Sequence, residues 1–170
     1  MMGTAHASET EKAKVAVGQA APAFTLLDQF GKSHRLADYL GQWVLVYFYP
    51  KDDTPGCTKE ACGIRDRFAE FKKLKAVVLG VSADSVESHK KFADKFTLPF
   101  PLLADTQKQV VQAYGVWGEK SFMGKTYLGI SRSSFLIDPQ GKIAKIYPKV
   151  KPEEHTAEIL QDLAQLGAPG

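Results

Sequence analysis

The run Trp43-Val44-Leu45-Val46-Tyr47-Phe48-Tyr49, broken by Pro50-Lys51-Asp52-Asp53-Thr54-Pro55-Gly56 and resumed as Cys57-Thr58-Lys59-Glu60-Ala61-Cys62, decides how this chain folds. An unbroken apolar run rich in Val and aromatics, at strand length, predicts a strand buried on both faces. After the Pro/Gly break, Ile64, Phe68, Phe71 and Leu74 recur at three- and four-residue spacing, which predicts a helix from Cys57 to about Leu74. Ala76 to Val81 reads as a second buried strand. Strand, helix and strand in that order predict a parallel pair with a right-handed crossover. The Pro50–Gly56 loop then lies at the carboxyl end of a central strand, where open α/β sheets carry their chemistry.

Working outward, Val15 to Phe30 is a loop-rich opening, Gln29 to Lys32 a turn, and Leu36 to Leu40 a short helical turn. Asp84 and Glu87 have capping-box spacing and predict a helix through about Phe96; Thr106 and Gln109 do the same for a helix ending at Gly115. Phe100 to Leu103 is a short strand. Trp117 to Ile130 reads as a glycine-rich loop. Ser133–Ile137 and Lys142–Tyr147 flank Asp138-Pro139-Gln140-Gly141 as a hairpin, and Pro152 to Leu166 is a terminal helix with proline first. The order is that of an α/β layered domain. We expect one domain over residues 15–170 behind a flexible tail, 1–14. Trp43, Phe48, Phe68 and Phe71 are expected in its core.

Composition bounds the function. A chain of 170 residues, 44% hydrophobic and 24% charged, buries about 68–70% of its unfolded surface without staples. Lys and Arg exceed Asp and Glu by 22 to 19, a net charge of +3 with no block of like charge. A nucleic-acid binder shows a concentrated basic stripe instead. No apolar run approaches the roughly 18 residues of a membrane span. The first residues lack the apolar segment of a secretory signal, so a cytoplasmic, reducing compartment is expected. In such a compartment two close cysteines read as catalytic or metal-binding rather than structural.

Those cysteines, Cys57 and Cys62, are the only two. Cys57 falls in the first turn of the predicted helix, where free N–H groups and the dipole favour a thiolate. Thr54, three residues earlier, is placed to aim its hydroxyl at that sulfur, and Pro50 and Pro55 stiffen the loop. Five residues of helix separate the two Cα atoms by roughly 8.6 Å, whereas a disulfide needs about 7 Å or less. A bond between them requires the first turns to unwind. Cys62 alone reads equally well as a small core residue. Zinc needs four ligands, and His6, His34, His89 and His155 are scattered along the chain, so no metal is expected. A Cys-x-x-Cys pair is absent.

Pro50-x-x-x-Thr54-x-x-Cys57 resembles the active-site motif of the peroxiredoxins. Val46-Tyr47-Phe48-Tyr49-Pro50, the stretch Thr54 to Cys62, and Trp117-Gly118-Glu119-Lys120-Ser121-Phe122-Met123-Gly124-Lys125-Thr126-Tyr127 are similar to the bacterioferritin comigratory protein, or PrxQ, subfamily. The resemblance runs from about Val15 to Leu163. It implies a thioredoxin-like α/β fold with a central mixed sheet flanked by helices, and a peroxidase that needs no cofactor. By the same resemblance Cys57 is the peroxidatic cysteine and Cys62 the resolving one, in an intramolecular disulfide recycled by thioredoxin or a similar dithiol reductant. Arg132 is the family's arginine, stabilising thiolate and peroxide. Thr54 hydrogen-bonds the peroxide, Pro50 shields the site, and Glu60 is a supporting residue that also suits a helix's first turn. The resemblance points to a monomer, with a weak dimer as the alternative. The chain lacks the Gly-Gly-Leu-Gly and Tyr-Phe elements that make other members sensitive to over-oxidation.

Two other readings stay open on sequence alone. One is a thioredoxin-fold disulfide reductase, weakened by the missing Cys-x-x-Cys. The other is a non-enzymatic thiol sensor whose output is the unwinding itself. A surface ion pair is the alternative reading of Arg132. Phe122, Met123 and Tyr127 are expected to pack rather than line an entrance. Lys51, Lys59, Arg65 and Arg67 make the surroundings basic, which suits thiolate formation, an acidic reductase surface or, for Lys59 and Arg65 at least as well, a solvated helix face.

Overall fold

In chain order, residues 15–167, those described in this computed structural model, form β1 (Thr25–Leu27), β2 (Ser33–Arg35), a 3-10 turn (Leu36–Tyr39), β3 (Trp43–Phe48), α1 (Pro55–Asp66), α2 (Phe68–Lys73), β4 (Ala76–Ser82), α3 (Val86–Phe96), β5 (Leu102–Ala104), α4 (Gln109–Ala113), β6 (Trp117–Phe122), β7 (Lys125–Ile130), β8 (Ser133–Ile137), β9 (Ile143–Tyr147) and α5 (His155–Gln165). The expected tail, 1–14, lies outside the described residues. Seven strands make one mixed sheet in the order β2-β1-β5-β4-β3-β8-β9. β3, β4 and β5 run parallel, and β8 lies antiparallel against the other edge of β3.

Every residue of β3 is buried, because the strand is paired on both edges and covered on both faces. Its period-two alternation sorts the core. Leu45 and Tyr47 join Tyr49, Cys57, Ala61, Ile64, Phe71, Phe92, Ile159 and Leu163 on the face covered by α1, α2, α3 and α5. Val44, Val46 and Phe48 join Leu79, Val111, Tyr114 and Phe135 on the other. Fully burying an aromatic or branched side chain of this kind stabilises by about 1.5–3 kcal/mol. Trp43, Phe48 and Phe71 are buried as expected, and Phe68 packs at the edge. Among the described residues no helix is long and apolar enough to cross a membrane.

Several local expectations change. The 57–74 helix starts earlier, at Pro55, and breaks at Arg67 (φ −118°, ψ 21°) into α1 and α2. The opening stretch contains β1, which pairs with β2 and β5. Ser85, not Asp84, caps α3, its Oγ accepting the Ser88 amide at 3.1 Å. Helix α4 has Lys108 before it in left-handed conformation (φ 61°) and no side-chain cap from Thr106. Helix α5 begins at His155, not Pro152. Trp117–Ile130 is not a loop but a two-stranded hairpin in which Phe122 pairs with Lys125. Its turn residues, Met123 and Gly124, both have positive φ (53° and 79°), as a type I′ turn requires.

Candidate active site

The first turn of α1 follows the end of β3, and it places Cys57 in the buried cluster that also holds Tyr47 and Tyr49. Cys57 is the third residue of the helix and only 1% exposed. Thr54 sits before the helix in extended conformation (φ −107°, ψ 156°), and its carbonyl accepts the Thr58 amide at 2.8 Å. Its hydroxyl, expected to face the sulfur, instead donates to the Lys51 carbonyl at 2.8 Å. That bond closes the loop over residues 51–54, and the hydroxyl lone pairs stay available to a donor. Pro50 is half-buried at the loop's start.

Arg132 arrives from the short link between β7 and β8. Its guanidinium works as a fork: Nη2 donates to Cys57 Sγ at 3.3 Å and Nη1 to Glu60 Oε1 at 2.8 Å. This replaces the surface ion pair that sequence left open, since Glu60 is fully buried. Gly56 makes room for the approach: a Cβ there would stand 3.0 Å from Arg132 Nη2 and 3.8 Å from Pro152 Cγ. Because α1 begins at Pro55, Glu60 lies beyond the first turn and inside the protein. Burial raises its carboxyl to about 7, against the pull of Arg132. Burial also works against the charge on Arg132, but Cys57 and Glu60 together outweigh it and hold the guanidinium more firmly protonated than usual.

Glu60 Oε2 and Tyr47 Oη are both buried without a hydrogen-bond partner. Burial, reinforced by Glu60, pushes the Tyr47 phenol well above its usual range. Lys120, on β6, donates to the Ile130 carbonyl at 2.8 Å, and burial and Arg132 lower its amine. Tyr47 and Lys120 are absent from the sequence reading of the site. Nothing in a strand-like apolar run marks one tyrosine as the floor of a polar site, and Lys120 enters only through the unexpected hairpin.

Cys62 is partly exposed, and both thiols are free within the unbroken helix. Phe122, Met123 and Tyr127 do not pack as expected: they are 68%, 86% and 48% exposed, at or near the hairpin tip. The basic neighbours are mostly engaged locally. Arg65 donates to the Phe96 carbonyl and pairs with Asp66, Arg67 pairs with Glu70, and Lys59 faces Glu153 at 3.8 Å. Asp52, Asp84 and His89 bring their ligand atoms within 4.8 Å of one another. Internal donors already occupy both oxygens of Asp52, and His89 is fully buried.

Residues 17–146 match the AhpC/TSA family. Peroxiredoxin Bcp of Escherichia coli is 52% identical over 148 residues, covering 87% of this chain and 95% of that protein. Peroxiredoxin Bcp of Bacillus subtilis is 47% identical over 152 residues, covering 89% and 97%. Among solved structures, peroxiredoxin Q of Xanthomonas campestris superposes with a TM-score of 0.80 at 40% identity, over 84% of this chain and 90% of its own. A bacterioferritin comigratory protein from the same organism, studied for alkyl peroxide reduction, gives 0.80 at 39% identity over 84% and 91%. The chain belongs to the AhpC/TSA family and, within it, to the Bcp/PrxQ peroxiredoxins, thiol peroxidases of thioredoxin-like fold.

Proposed function

We propose that Cys57 is the peroxidatic cysteine and Cys62 the resolving cysteine of this peroxidase. The observation that carries the reading is the Arg132 fork, one arm on Cys57 Sγ and the other on buried Glu60. The Cys57 thiolate attacks the nearer peroxide oxygen; the O–O bond breaks, sulfur is oxidised to sulfenic acid, and the leaving oxygen takes a proton to depart as water or alcohol. Arg132 stabilises the negative charge as it moves from sulfur to the leaving oxygen. Thr54 Oγ1 accepts from the hydroperoxide, and Pro50 keeps bulk water from the sulfur.

The Cys62 thiol then displaces hydroxide from the sulfenic sulfur, giving a Cys57–Cys62 disulfide and water. Both residues sit in one helix, so this step unwinds its first turns. A dithiol donor, thioredoxin or a similar protein, reduces the disulfide and is itself oxidised. Hydrogen peroxide and organic hydroperoxides are both substrates in this reading; the alkyl peroxide activity attributed to the Xanthomonas relative supports the second. We read residues 15–170 as one domain acting as a monomer in the cytoplasm.

The test is peroxide consumption coupled to thioredoxin, with mass spectrometry of the oxidised protein. Cys57→Ser is expected to abolish consumption. Cys62→Ser is expected to keep the first oxidation, stop thioredoxin-driven turnover, and accumulate sulfenic acid. Turnover undiminished in Cys57→Ser overturns the reading.

A further inference from the structure

Immediately before the Cys57 helix lies a polar cluster that the peroxide chemistry does not use. Asp52 is 7% exposed. Its Oδ1 accepts from Tyr49 Oη at 2.5 Å, and its Oδ2 from Ser88 Oγ at 2.7 Å. His89 Nδ1 lies 2.7 Å from the same Oδ2. The other ring nitrogen, Nε2, is 3.0 Å from the Leu103 carbonyl. A carbonyl only accepts, so Nε2 is the donor in that contact. The Asp52 amide donates to Asp84 Oδ2 at 2.9 Å, and that oxygen also accepts from Ser82 Oγ at 2.7 Å. The residues beyond β3 are thereby tied to α3, β5 and the end of β4.

The next residue has no such hold. Asp53 takes a left-handed conformation (φ 57°) and makes only an exposed pair with Lys95. Two residues later, at Pro55, α1 begins. These contacts are short and buried, and breaking them leaves buried donors unsatisfied. The backbone bonds of a helix's first turns are exchanged more easily for water.

We propose that Asp52, clamped by Ser88 and His89, is a positioning residue: it holds Pro50–Thr54 over Cys57 and confines unwinding to the chain after Thr54. The proposal rests on the peroxidase reading above. It separates two steps. A loosened clamp misplaces Thr54 and Arg132's target and slows the first oxidation. It does not slow disulfide formation, which needs the helix open.

The experiment follows reduced, full-length protein by rapid mixing with hydrogen peroxide, measuring first oxidation and sulfenic-to-disulfide conversion separately. Asp52→Asn is expected to slow the first step about tenfold, the scale set by sub-ångström to ångström misplacement, with conversion unchanged or faster. Ser88→Ala, which deletes one donor, is expected to slow the first step about twofold to threefold by the same mechanism. Lys95→Ala, which removes the exposed pair with Asp53 and a cation–π contact with Phe96 but leaves Asp52 untouched, is expected to leave both steps at the parent rates.

A folded Asp52→Asn protein with an unchanged first oxidation rate overturns the proposal. So does an equal slowing of both steps that tracks a fall in Tm, the signature of a merely structural role. If Asp52→Asn does not fold, Ser88→Ala decides by the same two criteria. Peroxide failing to oxidise the parent protein brings down the functional reading and this proposal with it. Equal first-step rates in parent and variants, with normal peroxide consumption, bring down this proposal alone.

Discussion

The two sides of Thr54 are built on opposite terms. Before it, Asp52 is buried with both carboxylate oxygens occupied and its own amide bonded. After it, a helix carries a partly exposed thiol and a buried carboxylate with one oxygen unpartnered. A saturated polar cluster is rigid; the first turns of a helix with a partly exposed thiol and an orphaned oxygen hold less firmly. A cycle that must hold a peroxide in one step and bring two distant sulfurs together in the next needs both properties, and here they are adjacent in the chain.

Hydrogen exchange tests the contrast most directly. On oxidation to the Cys57–Cys62 disulfide, amides of residues 58–62 should lose protection on the order of 10³-fold, as expected for an element opened locally. The Asp52 amide, bonded to Asp84, should keep its protection. Equal loss on both sides of Thr54 would erase the distinction.

Glu60 probes the helix side of Thr54. Its carboxyl is raised from 4.5 to about 7 by burial, so the folded state holds a proton more tightly than the unfolded one. That stabilisation is present in full below about pH 4.5 and is lost as pH rises through about 7. At about 1.4 kcal/mol for each tenfold change in proton affinity, the swing has a ceiling of about 3 kcal/mol. Denaturant titrations of Glu60→Gln against parent should therefore show the variant gaining relative stability between pH 4.5 and 7 and little beyond. A pH-independent difference would mean the carboxyl is not held as described.

Arg132→Lys should follow at about 10²-fold loss in kcat/KM for peroxide, the scale of one missing transition-state donor. A lysine ammonium is a point charge and does not reproduce a planar fork reaching Sγ and Oε1 together. Steady-state peroxide kinetics checks it, and a change of less than about twofold would show that charge alone suffices.

Much of this is legible in the sequence. A seven-residue apolar run ending in a proline-rich loop predicts the buried strand and the placement of Cys57, because period, burial and loop chemistry all point one way. The 117–130 hairpin is not legible. Its strands are mostly solvent-facing, so they lack a hydrophobic alternation, and its turn seats Met123 at positive φ instead of the usual Asn or Asp. The Asp52 cluster is hidden for another reason. Tyr49, Asp52, Ser88 and His89 are up to 40 residues apart and meet only because β3 and β4 are parallel neighbours with α3 following. Asp84 carries a capping-box spacing, but it serves Asp52 and leaves the cap to Ser85. Local rules name what a side chain is able to do and leave the competition for it to tertiary packing.

Gly56→Ala offers the smallest effect and the finest test, because its two consequences have opposite signs. Gly56 is the second residue of α1, and alanine in a helix is favoured over glycine by about 0.5–1 kcal/mol. The position is not one of the left-handed glycines, so the backbone accepts the change. The new Cβ, however, would lie 3.0 Å from Arg132 Nη2, the same nitrogen that donates to Cys57 Sγ. The guanidinium must retreat by a few tenths of an ångström, and Pro152 limits where it goes. Thermal melts should show Tm unchanged or slightly raised, while peroxide kinetics shows kcat/KM down about threefold to tenfold, as small displacements of a positioned donor give. A variant that is both stabler and fully active would mean that the helix, not the guanidinium, gives way, and that its first turn is already loose in the reduced protein.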